Sequence, residues 1–164
     1  MRLLLLLRLL LLLRCVTAMP SWAPAIDQIL ASYGSIAVRP GELSTPAPTV
    51  DVVHFQVGVD MMANIDQVRQ RWSMNGYFRT WWHDPRLAFN ETDAKFIHLT
   101  AAQQKQVWQP TLYVEKAVGM TEVKENDGLA ESMTIYPTGL VFRSQQREIT
   151  LSCPVNLKFL PFDN

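Results

Sequence analysis

An all-β sandwich preceded by one short α-helix is the fold that the sequence predicts. Residues 51–60 and residues 68–82 alternate between apolar and polar side chains, which is the period-two pattern of half-buried strands. Turn signals at residues 126–128 (Asn-Asp-Gly) and 137–139 (Pro-Thr-Gly) separate further short apolar stretches. Many short strands joined by turns indicate a sandwich, and a chain of 164 residues suffices for one domain.

The first 18 residues have the pattern of a secretory signal peptide. Arg2 precedes a leucine-rich run over residues 3–13, and residues 16–18 (Val-Thr-Ala) provide a small-residue cleavage site. The run is shorter than the roughly 20 apolar residues that span a bilayer, and Arg8 interrupts it. The alternatives are a short membrane anchor and a wrongly assigned start codon. We therefore predict that the chain enters the secretory pathway.

The balance of charges gives no support to a nucleic-acid partner. The chain carries 15 Lys and Arg against 15 Asp and Glu, and cleavage after Ala18 removes three of the arginines. The remaining chain is slightly acidic, so no basic patch favours nucleic acid. Cleavage also removes Cys15 and leaves Cys153 alone in an oxidising compartment, where cysteines usually pair. We therefore expect the partner of Cys153 to lie beyond Asn164.

The first half of the domain is predicted as a helix, a connector and a strand. Residues 25–33 place apolar side chains at helical spacing, so we expect a short amphipathic helix that ends at Gly34. Three prolines within residues 40–48 indicate an extended connector. The strand over residues 51–60 has one apolar parity, formed by Val53, Phe55, Val57 and Val59. Residues 61–67 are expected to form the turn to the next strand.

The strand over residues 68–82 ends at His83 and Asp84, because Pro85 removes a donor from the ladder. The apolar parity of this strand consists of Val68, Trp72, Met74, Phe78 and Trp82. Residues 88–93 form a loop in which Asn90 heads the glycosylation acceptor Asn-Glu-Thr. Further strands are predicted over residues 95–99, 133–136 and 140–153.

No residue pattern supports catalysis, a metal site or a cofactor. The three histidines, His54, His83 and His98, lack metal-ligand spacing with each other or with cysteine. Neither a nucleophile elbow nor a phosphate-binding or dinucleotide-binding loop is present. Asp84 and Arg86 are better explained as a structural ion pair than as a catalytic acid with its partner. We therefore predict that the protein is not an enzyme.

Binding has better support, from the polar parity of the strand over residues 68–82. Tyr77, Arg79 and Trp81 form an aromatic–guanidinium–aromatic row there. A tyrosine ring can face an ammonium group, and an arginine can hold a carboxylate through two parallel hydrogen bonds. Tyr77 and Arg79 therefore suit a small zwitterion such as an amino acid. The alternative is that Arg79 pairs with an acidic side chain across the sheet while Tyr77 only packs.

Four motifs, in order and in register, carry a resemblance to a known family. The connector reads Y-x-x-x-x-x-R-P-G over residues 33–41, and residues 77–87 match F-x-R-x-x-W-x-D-x-R-L with tyrosine in the first position. Residues 108–111 match W-x-P-D with Thr111 in place of the acid. Residues 153–163 match C-P-x-x-L-x-x-F-P-x-D with Leu160 in place of an aromatic. The chain thus resembles the extracellular ligand-binding domain of the Cys-loop receptors, the pentameric ligand-gated ion channels, and is most similar to glycine- and GABA-type subunits.

The resemblance implies roles for individual residues. In the family, the ligand lies between subunits, and the arginine that matches Arg79 contacts the carboxylate of the ligand. Tyr77, Ser144 and Gln146 match positions of the same complementary face, whereas Tyr113 matches an aromatic residue of the principal face. Cys153 matches one half of the signature disulfide, whose other half lies past Asn164. The residues that match structural positions of the family are Trp82, Asp84, Arg86, Trp108 and Pro110.

The resemblance also implies a fold and a function for residues 25–164. The fold is an incomplete immunoglobulin-like β-sandwich with a short N-terminal helix, cut inside the signature loop. The function is to bind a neurotransmitter-like amino acid or amine in a homo- or hetero-pentamer of subunits and so to gate ion flow. The pore helices, which would provide the contact with the membrane, are missing from the chain. The alternatives are a secreted soluble ligand-binding protein of the same fold and a non-functional truncated subunit.

Overall fold

One antiparallel sheet dominates the residues that the structure describes, which are 23–90, 94–122 and 131–153. The computed structural model has the elements α1 (Ala23–Ser32), β1 (His54–Asp66), β2 (Arg71–His83), β3 (Ile97–Leu99), α2 (Ala101–Gln104), β4 (Ala117–Glu122), β5 (Glu131–Ile135) and β6 (Leu140–Ser152). Two short 3-10 helices cover Pro40–Leu43 and Pro85–Leu87. The strand order is β1-β2-β6-β5-β3, and β4 pairs with the second half of β6. The predicted all-β class, an immunoglobulin-like sandwich with a short N-terminal helix, is confirmed.

Strand β2 lies between β1 and β6 and alternates in burial, as its sequence predicts. Met74, Phe78 and Trp82 are buried, with Trp82 only 1 % exposed. The predicted start of this strand is wrong, because β2 begins at Arg71 and Val68 lies in the preceding turn with 95 % of its surface exposed. The apolar–polar alternation of the sequence extends back to Val68, whereas the backbone pairing of β2 begins only at Arg71.

Strand β1 departs furthest from the prediction. The alternation predicts that Phe55, Val57 and Val59 form the buried face of this strand, but these side chains are 48 %, 40 % and 47 % exposed. Among the described elements, only β2 makes extensive contact with β1, so the apolar side chains of β1 lack a covering element within the described chain. The predicted turn over residues 61–67 is also wrong, because β1 pairs with β2 as far as Asp66. Two irregularities in the register allow this continuation.

Two elements of the structure have no counterpart in the sequence prediction. Helix α2 follows the short strand β3, and it begins with a capping box between Thr100 and Gln103. The sequence Thr-Ala-Ala-Gln is a recognisable signal for such a helix start. Strand β4 pairs with β6 through residues 117–122, and no strong alternation marks it in advance. The predicted turn at residues 126–128 and the signal peptide over residues 1–18 lie outside the described residues.

The apolar core consists of two clusters that involve one face of β2. The larger cluster joins helix α1 to the sheet and contains Ile26, Tyr33, Trp82, Leu87, Ile97, Leu99, Val107, Met133, Ile135 and Val141. The smaller cluster contains Met74, Phe78 and Ile149. The first cluster fixes the end of β2 that carries Trp82. The opposite face of β2 remains available for polar side chains.

The turn between β5 and β6 requires a glycine at position 139. Gly139 has φ +83°, and a Cβ atom there would lie 2.6 Å from the carbonyl oxygen of Asp84. We expect Gly139→Ala to lower the free energy of unfolding by about 1–3 kcal/mol in urea denaturation. Gly34→Ala is the matched control, because Gly34 has φ +81° and a Cβ atom added there would meet no atom within 4 Å. Equal losses of unfolding free energy in the two variants would show that the close approach of the added Cβ atom to the carbonyl oxygen of Asp84 does not destabilise the fold.

Candidate ligand-binding face

The polar face of the sheet brings together candidate residues from two strands that are distant in sequence. In an antiparallel pair, directly opposed residues point to the same side. Arg79 is opposed by Gln56 on one side and by Ser144 on the other, whereas Tyr77 is opposed by Gly58 and by Gln146. The four candidate residues Tyr77, Arg79, Ser144 and Gln146 are therefore neighbours on one face of β2 and β6.

The side chain of Arg79 leans toward Tyr77. The guanidinium carbon of Arg79 lies 5.5 Å from the centroid of the Tyr77 ring, within the range of a cation–π contact. Among the described residues, no ion pair involves Arg79, and the residues opposite it across the sheet are uncharged. The alternative that Arg79 pairs with an acidic side chain across the sheet is therefore wrong for this part of the chain. As far as the described ranges reach, the guanidinium keeps its hydrogen-bond donors available for an anion.

Trp81, for which the sequence offers no role, packs against an aromatic ring of the neighbouring strand. The centroids of the Trp81 and Phe142 rings are 5.2 Å apart, and the two residues are directly opposed in the β2–β6 register. His54 of β1 is opposed to Trp81 on its other side. Trp81 itself is half-buried. Only the register of β6 reveals this pairing, because Phe142 lies 61 residues away in sequence.

Tyr113 does not join the other candidate residues. It is 91 % exposed and borders a cavity of about 480 Å³ on the apolar face of the sheet. Phe78 and Thr80, which point away from Tyr77 and Arg79, line the same cavity, and Pro110 lies at its edge. The assignment of Tyr113 to a different binding surface from that of Arg79 stays a prediction.

A buried ion pair supports the end of β2 behind this face. Asp84 is completely buried, and its carboxylate accepts hydrogen bonds from Arg86 Nε at 2.8 Å and from Arg86 Nη2 at 2.7 Å. Arg86 also donates through Nη1 to the carbonyl oxygens of Ser35 and Val38. The predicted structural pair is thus present, but it is buried rather than superficial. Its bonds tie the residues after helix α1 to the end of β2.

Tyr33 completes this buried network. Its hydroxyl group donates to Asp84 Oδ2 at 2.6 Å and accepts from the backbone N–H of Trp108 at 2.8 Å. Burial, together with the hydrogen bond to Asp84, raises the pKa of the Tyr33 phenol well above its ordinary value. The Trp108 ring meets Trp82 edge-on with 6.2 Å between centroids. Four of the residues predicted to be structural, Trp82, Asp84, Arg86 and Trp108, are therefore connected to one another directly or through Tyr33.

The remaining candidates lie apart from this face. Cys153 is exposed and unpaired within the described chain, and its backbone N–H donates to the carbonyl of Gln70. Asn90 is exposed, which a glycosylated residue must be. The glycan itself stays a prediction. The described ranges hold no cluster of three or more His, Cys, Asp or Glu side chains with the geometry for a metal ion. Within those same ranges, none of the helices has the length and apolarity needed to cross a membrane.

Comparison with known proteins identifies the family to which this chain belongs. The family model described as "Neurotransmitter-gated ion-channel ligand binding domain" matches residues 24–164. The chain therefore belongs to this family, and the predicted resemblance to the Cys-loop receptors is confirmed. The family is one of ligand-gated channels rather than of enzymes.

Individual relatives give the same result. The chain is 29 % identical over 147 residues to a glutamate-gated chloride channel of Drosophila melanogaster, a match that covers 84 % of this chain and 30 % of the channel. It is 29 % identical over 129 residues to the neuronal acetylcholine receptor subunit alpha-6 of Rattus norvegicus, covering 77 % of this chain and 24 % of that subunit. The chain thus spans less than a third of the length of these relatives. The closer likeness to glycine- and GABA-type subunits stays a prediction.

Proposed function

We propose that this chain is the extracellular, ligand-binding part of a pentameric ligand-gated ion channel subunit. The observation that carries the proposal is the juxtaposition of Arg79, Tyr77, Ser144 and Gln146 on one face of β2 and β6. A small amino acid or amine binds at this face, where a neighbouring subunit supplies the opposite wall. Binding favours one state of the assembly, and a pore outside this chain responds to it. The chain acts on the extracellular side of a membrane after passing through the secretory pathway, and it performs no catalytic step.

The chemistry of the face suits a carboxylate. The guanidinium of Arg79 offers a fork of donors, and the hydroxyl of Ser144 and the side-chain amide of Gln146 add neutral partners on the next strand. The Tyr77 ring holds the guanidinium in place from one side. A ligand carboxylate can therefore be bound without first breaking an ion pair to Arg79.

Titration calorimetry on the purified chain over residues 19–164, without the predicted signal peptide, tests this proposal with glycine, L-glutamate and acetylcholine as probes. We expect Arg79→Gln to weaken the binding of L-glutamate by about 10- to 150-fold, because hydrogen bonds to a charged group are lost. Acetylcholine, which has no carboxylate, should be much less affected. Arg69→Gln is the control, because it removes the same charge from an exposed residue near the β1–β2 turn. Absence of binding for all three probes, or equal losses in both variants, would contradict the proposal.

A further inference from the structure

The connector between helix α1 and strand β1 contains a loop that hydrogen bonds close at its base. The backbone N–H of Thr49 donates to the carbonyl oxygen of Gly41 at 2.8 Å, and the N–H of Gly41 donates to Asp51 Oδ1 at 2.6 Å. Arg39 donates to the carbonyl oxygen of Thr49 and forms an ion pair with Asp51. Residues 45–48, between the two ends of the loop, are exposed. The loop is therefore fixed at its base and presents its centre to solvent.

Thr45 lies at that centre and has a free hydroxyl group. The hydroxyl groups of Ser44 and Thr49 are 2.9 Å apart and form a hydrogen bond with each other. Thr45 is exposed, and its hydroxyl group has no hydrogen-bond partner among the residues that the structure describes. An enzyme that modifies a hydroxyl group must first displace its hydrogen-bond partners. Thr45 is therefore the most available acceptor of the three.

The residues around Thr45 favour one kind of modification. Pro46 and Pro48 follow it directly and at the third position, so the loop is short of backbone donors and cannot continue a helix. Threonine and serine interspersed with proline are typical of segments that carry mucin-type O-linked sugars. Thr111 and Thr138 are also exposed, but each follows a single proline. The hydroxyl group of Thr138 also accepts from a backbone N–H of its own turn.

We propose that Thr45 Oγ1 is an acceptor for mucin-type O-glycosylation. The donor is N-acetylgalactosamine activated as its nucleoside diphosphate ester. Oγ1 forms a bond to C1 of the sugar while the bond from C1 to the phosphate oxygen breaks, and the leaving nucleoside diphosphate takes up the hydroxyl proton. The sugar adds a hydrated group to a connector whose Leu43 and Val50 side chains are 53 % and 85 % exposed. This inference rests on the passage through the secretory pathway that the proposed function includes.

A reaction with purified components tests the acceptor itself. The chain over residues 19–164 is incubated with a polypeptide N-acetylgalactosaminyltransferase and UDP-N-acetylgalactosamine, and mass spectrometry with electron-transfer fragmentation locates the sugar. We expect modification of Thr45 in the wild type and its loss in Thr45→Val, which keeps the branched shape of the side chain but removes the hydroxyl group. Thr49→Val and Thr111→Val are the matched controls and should still be modified at Thr45. No transfer to the wild type, or transfer to other residues with none on Thr45, would overturn the inference.

Expression of the 164-residue chain in animal cells tests the modification in its cellular context. The acceptor sequence at Asn90 serves as an internal reporter, because an N-linked glycan there requires entry into the same pathway. We expect the secreted chain to carry an O-linked sugar on Thr45 and Thr45→Val to lose it without losing the glycan on Asn90. A chain with a glycan on Asn90 but no sugar on Thr45 would overturn the inference. A chain that carries neither and stays inside the cell would instead contradict the passage through the secretory pathway, and the modification would fail with it.

Discussion

Replacing Arg86 with methionine should lower the free energy of unfolding by about 3–5 kcal/mol, which is the usual cost of breaking a buried ion pair. The variant leaves the Asp84 carboxylate, which is completely buried, without its charged partner. It also removes the donors to the carbonyl oxygens of Ser35 and Val38, so the residues after helix α1 lose their connection to the end of β2. Urea denaturation followed by tryptophan fluorescence measures the change.

The charge on Asp84 can be separated from the lost hydrogen bonds with a double-mutant cycle. Asp84→Asn combined with Arg86→Met should destabilise the chain by less than the sum of the two single variants, because the double variant contains no unpaired buried charge. Arg69→Met is the control, since Arg69 is 77 % exposed in its pair with Asp66, and we expect less than about 1 kcal/mol there. Additive losses at residues 84 and 86 would refute a coupled pair.

Trp82→Ala should destabilise the chain by about 3–5 kcal/mol, the range observed when a large aromatic side chain is removed from a core. Trp82 is 1 % exposed and belongs to the cluster that joins helix α1 to the sheet. Its loss would also remove the edge-on contact with Trp108 at 6.2 Å between ring centroids. Thermal unfolding monitored by circular dichroism and chemical denaturation should both report the loss.

Trp82→Phe distinguishes the packing of the ring from its polar group. The Nε1 atom of Trp82 is buried, and the described residues offer it no hydrogen-bond partner. Phenylalanine removes this unpaired donor and keeps much of the apolar surface, so we expect a clearly smaller loss than for Trp82→Ala. If Trp82→Phe and Trp82→Ala were equally unstable, the indole N–H would have to make a favourable contact, and its description as an unpaired donor would be wrong.

Local patterns in the sequence are sufficient for several features of the fold. The alternation in β2 predicts that Met74, Phe78 and Trp82 are buried, because opposite faces of a strand follow from a period of two residues. The helical spacing before Gly34 predicts α1, and Gly34 adopts the positive φ expected at its end. The start of α2 also has a local signal in Thr-Ala-Ala-Gln, although the helix itself is absent from the prediction. Each of these patterns acts between residues that are close in the chain.

The burial of β1 could not be predicted in the same way. Phe55, Val57 and Val59 alternate as clearly as the buried residues of β2, but they are exposed in the described chain. Alternation reports that one face of a strand is apolar, whereas burial depends on what packs against that face. Among the described elements, only β2 makes extensive contact with β1. Such packing is a property of the tertiary structure that no local pattern encodes.

By itself, the sequence determined the all-β class and the family motifs, because both follow from residues that are close in the chain. It also determined the pair Tyr77 and Arg79, because the two residues are neighbours on the same face of one strand. Only the tertiary structure decided that Ser144 and Gln146 lie beside this pair and that Trp81 packs on Phe142. It also decided that Arg79 contacts Tyr77 and has no acidic partner across the described sheet. The physical reason is the register between β2 and β6, since a shift by one residue would turn the side chains of β6 to the opposite face.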